Sequence, residues 1–165
     1  MTTKLERAHM HELMKLLLDH EPQINYPLHD IRGPKDAATF KLSETQLRAR
    51  MKSGGHIMFD CSQAVTQICK WVGLDDPNGL NYRWPGYTGT LLAHLRHYND
   101  PKGAAVGAIV VYGPATGDHA SMVYEPGDDP LLWSHGFDGG PQLIRLSKQR
   151  QLHRPPVTFL NISRL

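Results

Sequence analysis

The sequence predicts an α+β fold in one domain spanning residues 1–165, helices first and an antiparallel sheet last. Three observations predict it. Before about residue 104, apolar residues recur at helical spacing between capping residues and glycines. After it, short apolar runs alternate with turn residues. The two textures are segregated rather than interleaved, which argues for helices packed on an antiparallel sheet. The chain has 165 residues, 40% hydrophobic and 21% charged, an ordinary globular balance. At that length a core forms without disulfides or a structural metal. A disordered chain, a collagen and a coiled coil are excluded, and no apolar run approaches the ~18 residues needed to span a bilayer.

Residues 3–20 read as a helix, with Leu5, Leu13, Met14, Leu16, Leu17 and Leu18 apolar among charges and Pro22 beyond the end. Residues 22–42, with Pro22, Pro27, Gly33 and Pro34, read as a long irregular segment of the kind that often serves a function. Ser43 with Gln46 is a capping-box pattern opening a short helix that Gly54-Gly55 ends. A third helix runs from about Ser62 to Val72. Pro77, Asn78, Gly79, Pro85 and Gly86 mark 75–87 as loop. Thr88 or Thr90 caps a helix through Tyr98, and 99–103 is a turn. Five strands follow, at 105–112, 119–124, 131–135, 142–146 and 157–162.

Net charge is 18 − 16 = +2 with scattered basic residues, which gives no case for nucleic acid and is compatible with an anionic surface such as a bacterial wall. The N-terminal Met1-Thr2-Thr3-Lys4-Leu5-Glu6-Arg7 lacks the apolar core of a secretory signal. Cys61 and Cys69, eight residues apart on one helix, would lie about 12 Å apart along its axis, beyond the ~7 Å limit for a disulfide. Each therefore needs its own explanation. Cys69 sits mid-helix without polar neighbours and reads as core. Cys61 follows the apolar run Ile57-Met58-Phe59 and opens a helix for which Asp60 is a candidate cap. A thiol there meets the positive end of the helix dipole and unsatisfied N–H groups, which favour the reactive thiolate. The competing reading is a structural cysteine on the apolar stripe Cys61, Val65, Ile68, Val72.

A nucleophilic cysteine needs a base, and the base an orienter. His119 opens a predicted strand after the Gly113–Asp118 turn, and His135 ends the next one. If the two strands pair with a residue-number sum near 254, His119 and His135 are cross-strand neighbours on one face. His9 and His11, two apart, cannot share a helix face. His94 and His97, at i and i+3, lack a local third ligand and decorate a solvated helix. A zinc site of Cys61, His119 and His135 is conceivable but lacks the acidic residue and spacing of hydrolytic zinc motifs. The loop carboxylates Asp128, Asp129 and Asp138 do not form a calcium motif. No metal or cofactor is expected.

The segments Phe59-Asp60-Cys61-Ser62, Asp118-His119-Ala120-Ser121-Met122-Val123-Tyr124 and Ser134-His135-Gly136, with Gly140-Pro141 downstream, carry a family likeness. Over residues 55–165 the chain resembles the NlpC-type papain-like cysteine peptidases of peptidoglycan, and more narrowly the N-terminal peptidase domain of endolysins from phages of actinobacteria. The resemblance implies a papain-like packing of the N-terminal helices on a C-terminal sheet of about five strands. It implies that Cys61 attacks a stem-peptide amide, that His119 is general base and then acid, and that His135 orients His119. The Cys61 N–H would help hold the oxyanion. Tyr26, the sole tyrosine upstream of the cysteine, would assist there, and Asp60 and Ser62 would line the substrate groove. The chain departs from the family pattern at Gln63, where glycine usually follows the cysteine-serine pair, at Gly107-Ala108 in place of Gly-Asp, and in a glycine-rich approach reduced to Gly54-Gly55. These departures bear on groove shape and on which bond is cut.

The expected activity is therefore peptidoglycan hydrolysis during cell-wall lysis, with bacterial peptidoglycan as partner, no nucleic acid, no membrane insertion and a monomeric enzyme. The expected location is the host cytoplasm before release and then the wall. The alternatives are an N-acetylmuramoyl-L-alanine amidase using the same nucleophile, a non-catalytic wall-binding module, and a cysteine acyltransferase on the same fold.

Overall fold

The structure, a computed structural model, describes residues 2–27, 37–98, 101–136 and 139–162; Asp138 lies outside them. The first helix, α1, is Lys4–Asp19, opened by a reciprocal box in which the Thr3 side chain accepts from the Glu6 N–H and Glu6 accepts from the Thr3 N–H. Its inward stripe, Met10, Leu13, Met14 and Leu17, is fully buried, and each such side chain contributes about 1.5–3 kcal/mol when removed from water. A short 3-10 turn, Glu21–Gln23, leads to β1, Ile24–Asn25. Helices α2, Ala37–Lys41, and α3, Glu44–Lys52, follow. The Ser43–Gln46 box opens α3 as the sequence predicts. Strand β2, Ile57–Met58, pairs in parallel with β1, Ile24 opposite Ile57 and Asn25 opposite Met58. The segment read as irregular thus holds a strand and a helix, with residues 28–36 outside the described residues.

Helix α4, Cys61–Val72, is the central helix. Asp60 caps it, accepting from the Gln63 N–H at 2.7 Å, and Gly73 ends it in the left-handed conformation (φ 80°) that glycine adopts without penalty. Helix α5 is Thr88–His94. The helix predicted through Tyr98 stops four residues short, because Leu95 turns extended and Arg96–Tyr98 becomes β3. Tertiary pairing overrides local propensity here: β3 runs antiparallel to the last strand, Arg96 opposite Asn161. His94 and His97 consequently do not share a helix, and the His97 ring bonds the Leu92 carbonyl oxygen at 2.6 Å.

The main sheet adds β4 (Ile109–Tyr112), β5 (His119–Glu125), β6 (Leu131–Gly136), β7 (Gly139–Arg145) and β8 (Val157–Asn161). Its order is β3-β8-β4-β5-β6-β7, with every neighbouring pair antiparallel. The architecture is α+β, with six strands where five were expected. One sheet face, through Ile109, Val111, Ala120, Met122 and Trp133, packs against α1 and α4. The other, through Val110, Tyr112, Val123, Leu132 and Phe159, is covered in part by α6, Leu146–Leu152, a helix the sequence reading left unassigned. Asp129 holds the start of α6 from another loop, accepting from the Ser147 N–H and hydroxyl at 2.8 and 2.7 Å.

One register decides the placement of the histidines. Strands β5 and β6 pair Ser121 with Ser134, Met122 with Trp133 and Val123 with Leu132, a residue-number sum of 255 rather than 254. Next to the turn Glu125 stands opposite Leu131, a sum of 256, and an irregularity at Tyr124 takes up one residue and makes the sum odd. A one-residue change of register moves a side chain to the opposite face of the sheet. The expected His119–His135 neighbour pair is therefore not formed: the two side chains project from opposite faces.

Candidate functional site around Cys61

Four predicted residues, Tyr26, Asp60, Cys61 and Ser62, meet in a cleft of about 400 Å³. The β1–β2 pairing makes this possible. It carries Tyr26 alongside Phe59, whose N–H bonds the Asn25 carbonyl oxygen at 3.2 Å. Cys61 is the first residue of α4 and is buried. Asp60 is shared between the Gln63 N–H and the Ser62 hydroxyl, which donates to it at 2.8 Å. The cap thereby fixes the helix start on which the thiol sits. The Tyr26 hydroxyl hydrogen-bonds both the Cys61 side chain and the Cys61 backbone N–H. Burial, with the charges of Cys61 and Asp60 behind it, pushes the Tyr26 phenol well above its ordinary range, so it stays a donor.

The opposite wall is one the sequence reading missed. It consists of Tyr87 and Thr88 at the start of α5 and the 116–118 turn between β4 and β5. The Thr88 hydroxyl donates to the Gly117 carbonyl at 3.2 Å, and Arg154 clamps Asp118 with two nitrogen–oxygen contacts of 2.9 and 2.8 Å. Asp118 stands beside a glycine, Gly113, whose φ of 99° and lack of a side chain leave room for the carboxylate. The signal in the sequence was the Gly-Pro-x-x-Gly-Asp turn itself, but only the fold sets it across from α4.

His135 lies on the α4 side of the sheet, at the irregularity of the β6–β7 pairing between Ser134 and Gly136. Its ring meets Phe59 edge-on (5.1 Å between centroids) and Tyr26 at 5.3 Å. Its Nε2 bonds the carbonyl oxygens of Phe59 and Asn25 at 3.0 and 3.3 Å, so Nε2 carries the proton. Its Nδ1 is buried and accepts no hydrogen bond among the described residues. Burial pulls its pKa down, and the facing carbonyls of Asn25, Phe59 and Gly140 oppose that shift.

His119 is elsewhere. It is buried on the far face, against α6. Tyr112 donates to Gln149 Oε1 at 2.9 Å. The Gln149 amide donates to Ser134 Oγ at 2.6 Å and to His119 Nε2 at 3.1 Å, and the Ser134 hydroxyl lies 2.9 Å from the same nitrogen. His153 stacks on the ring at 4.3 Å. The acceptor nitrogen of His119 is thus occupied by Ser134 and Gln149, and its pKa is pushed down to about 3, first by burial and then by His153 and His135. The structure does not bring His119 to Cys61, either as its base or as a shared zinc ligand.

Cys69 is fully buried in the α1–α4 core, its thiol pushed up by burial, and neither cysteine is in a disulfide. His9 contacts Glu44 and His11 stacks on Tyr124. Asp128 pairs with Lys102 at 3.5 Å, while Asp129 serves α6. Among the described residues, no three His, Cys, Asp or Glu side chains gather as a metal ion would require, and no helix is long and apolar enough to cross a membrane. No family model, curated protein or solved structure matches this chain.

Proposed function

We propose that this protein is a cysteine hydrolase of bacterial peptidoglycan, cleaving an amide bond of the stem peptide with Cys61 as nucleophile. The observation that carries the reading is the contact of the Tyr26 hydroxyl with both the thiol and the N–H of Cys61 at the start of α4. The N–H donates to the Tyr26 oxygen and the hydroxyl lies at the thiol, so two donors sit beside the sulfur. A carbonyl oxygen entering the cleft would take both as its negative charge develops. The choice of peptidoglycan rests on the resemblance of the Phe59–Ser62 and Asp118–Tyr124 segments to the wall peptidases. A stem-peptide endopeptidase and an N-acetylmuramoyl-L-alanine amidase share this chemistry and differ in the bond presented to it.

The base is reassigned. His135, on the α4 side with its Nε2–H held by carbonyls and its buried Nδ1 accepting no hydrogen bond among the described residues, is the imidazole we assign to the thiol. Release to wall, monomeric action and independence from cofactors remain part of the same proposal. The far-face position of His119 favours a second reading, a non-catalytic wall-binding module that retains the cleft. Purified peptidoglycan digested with wild type, Cys61→Ala and His135→Ala, followed by mass spectrometry, separates them. New peptide termini, or free lactyl carboxylates with free alanine amines, are expected with wild type alone. Wall binding without new termini, across walls of several cross-link types, would replace the hydrolase with the binding module.

A further inference from the structure

Beside the Cys61 cleft the chain displays two large aromatic rings in water. Trp84 and Tyr87 are 42% and 43% exposed, their centroids are 6.3 Å apart and their planes differ by 21°. The other two tryptophans, Trp71 and Trp133, are buried. Tyr87 also lines the cleft, so the pair continues its wall outward.

The loop that presents them is built to stay in place. The buried Asp76 carboxylate accepts from the N–H groups of Asn78, Leu80 and Tyr82 at 2.9, 3.0 and 2.8 Å. The Asn78 amide reaches Thr66 on α4, and the Thr90 hydroxyl on α5 donates to Asn78 Oδ1 at 2.6 Å. Asn81 and Tyr82 both hold positive φ (51° and 53°), a conformation that non-glycine residues keep only when their surroundings enforce it. Gly89 lies under the Tyr87 ring: a Cβ there would come within 2.5 Å of it. This is a rigid scaffold whose outward product is a pair of exposed rings with nearly parallel planes. Large aromatic faces left in water at a cleft rim cost solvation that a ligand recovers, and a preorganised platform spends little entropy on binding.

We propose that Trp84 and Tyr87 form a binding ledge for pyranose rings, and that it seats the glycan strand of the wall while the attached peptide enters the Cys61 cleft; the identity of that glycan rests on the wall-hydrolase reading. A pyranose offers an apolar C–H face, which the electron-rich face of an aromatic ring attracts, and a rim of hydroxyls, which the neighbouring Thr88, Thr116 and Asp118 can meet. A nucleic acid would stack equally well, but the described residues lining the cleft beside the ledge include Asp60 and no lysine or arginine to pair phosphate, and the charge of Asp118 is already met by Arg154.

The test is titration of the protein with a linear N-acetylglucosamine tetramer, followed by intrinsic fluorescence, to which Trp84 contributes the exposed signal, and by calorimetry. The tetramer carries no peptide, so its binding is read without turnover. Saturable quenching is expected, with affinity falling about tenfold in Trp84→Ala and largely kept in Trp84→Phe, which preserves a ring if the alanine variant fails to fold. No saturable binding, or equal affinity in wild type and Trp84→Ala, would overturn the ledge. Binding of oligothymidylate in place of the tetramer would overturn it in favour of a nucleic-acid surface. Tetramer binding without any wall digestion would leave the ledge standing and remove the hydrolase. Digestion without tetramer binding would do the reverse.

Discussion

Protonation of His119 should destabilise this protein from beneath its sheet. In the folded chain Nε2 of His119 accepts from Gln149 and Ser134, and its pKa sits at about 3 against an ordinary 6.5. The folded value lies below the unfolded one, so the unfolded chain binds the extra proton. Stability is therefore full above pH ~6.5 and declines as pH falls through the window toward about 3. At pH 5 the unfolded imidazole is already protonated by some 1.5 pH units' worth of free energy while the folded one is neutral, a loss of about 2 kcal/mol relative to pH 7.5. That figure hardly changes for any folded-state pKa below ~4. For a chain of this length it corresponds to a melting temperature lower by about 4–8 °C. The assay is thermal unfolding of wild type and His119→Gln at pH 7.5 and pH 5. The glutamine keeps a carbonyl oxygen as acceptor and has no proton to gain, while every other titrating group is common to both. Wild type should lose about 2 kcal/mol more than the variant between the two conditions. Equal losses, or an NMR titration of His119 near pH 6.5, would refute the buried network and reopen His119 as a catalytic base.

Two further outcomes follow from the same geometry. Tyr26→Phe removes one of two donors at the thiol and should lower kcat on peptidoglycan roughly 10²-fold with little change in KM; an unchanged kcat in steady-state release of termini would take Tyr26 out of the oxyanion site. Asp76→Ala leaves the N–H groups of Asn78, Leu80 and Tyr82 without their acceptor, and should cost about 3 kcal/mol in chemical denaturation together with loss of tetramer binding, since the aromatic ledge is fixed by that carboxylate.

Much of the site was legible along the chain because its signals are local. The Asp60 cap, the helix it opens and the position of Cys61 at its first turn all follow from residues within four places of one another. So does the Ser43–Gln46 box. Tyr26 was carried forward by the family likeness alone, and the β1–β2 pairing supplied what no local pattern could, its position beside Cys61. The Tyr87–Thr88 wall and the Arg154–Asp118 clamp escaped because their partners lie 29 and 36 residues apart.

The histidines mark the boundary between the two kinds of information. Sequence alone determined that His119 and His135 stand on adjacent antiparallel strands, since hydrophobic alternation and turn residues specify strands one at a time. It did not determine which faces they share. That depended on the single residue absorbed at Tyr124, which changes the pairing sum from 256 to 255 and sends His119 into the α6 network while His135 stays on the α4 side beside Tyr26 and Phe59. Strand alternation has period two, so one residue inverts the answer, and only packing both faces of the sheet, α4 on one and α6 on the other, selects which of the two registers buries its side chains with partners.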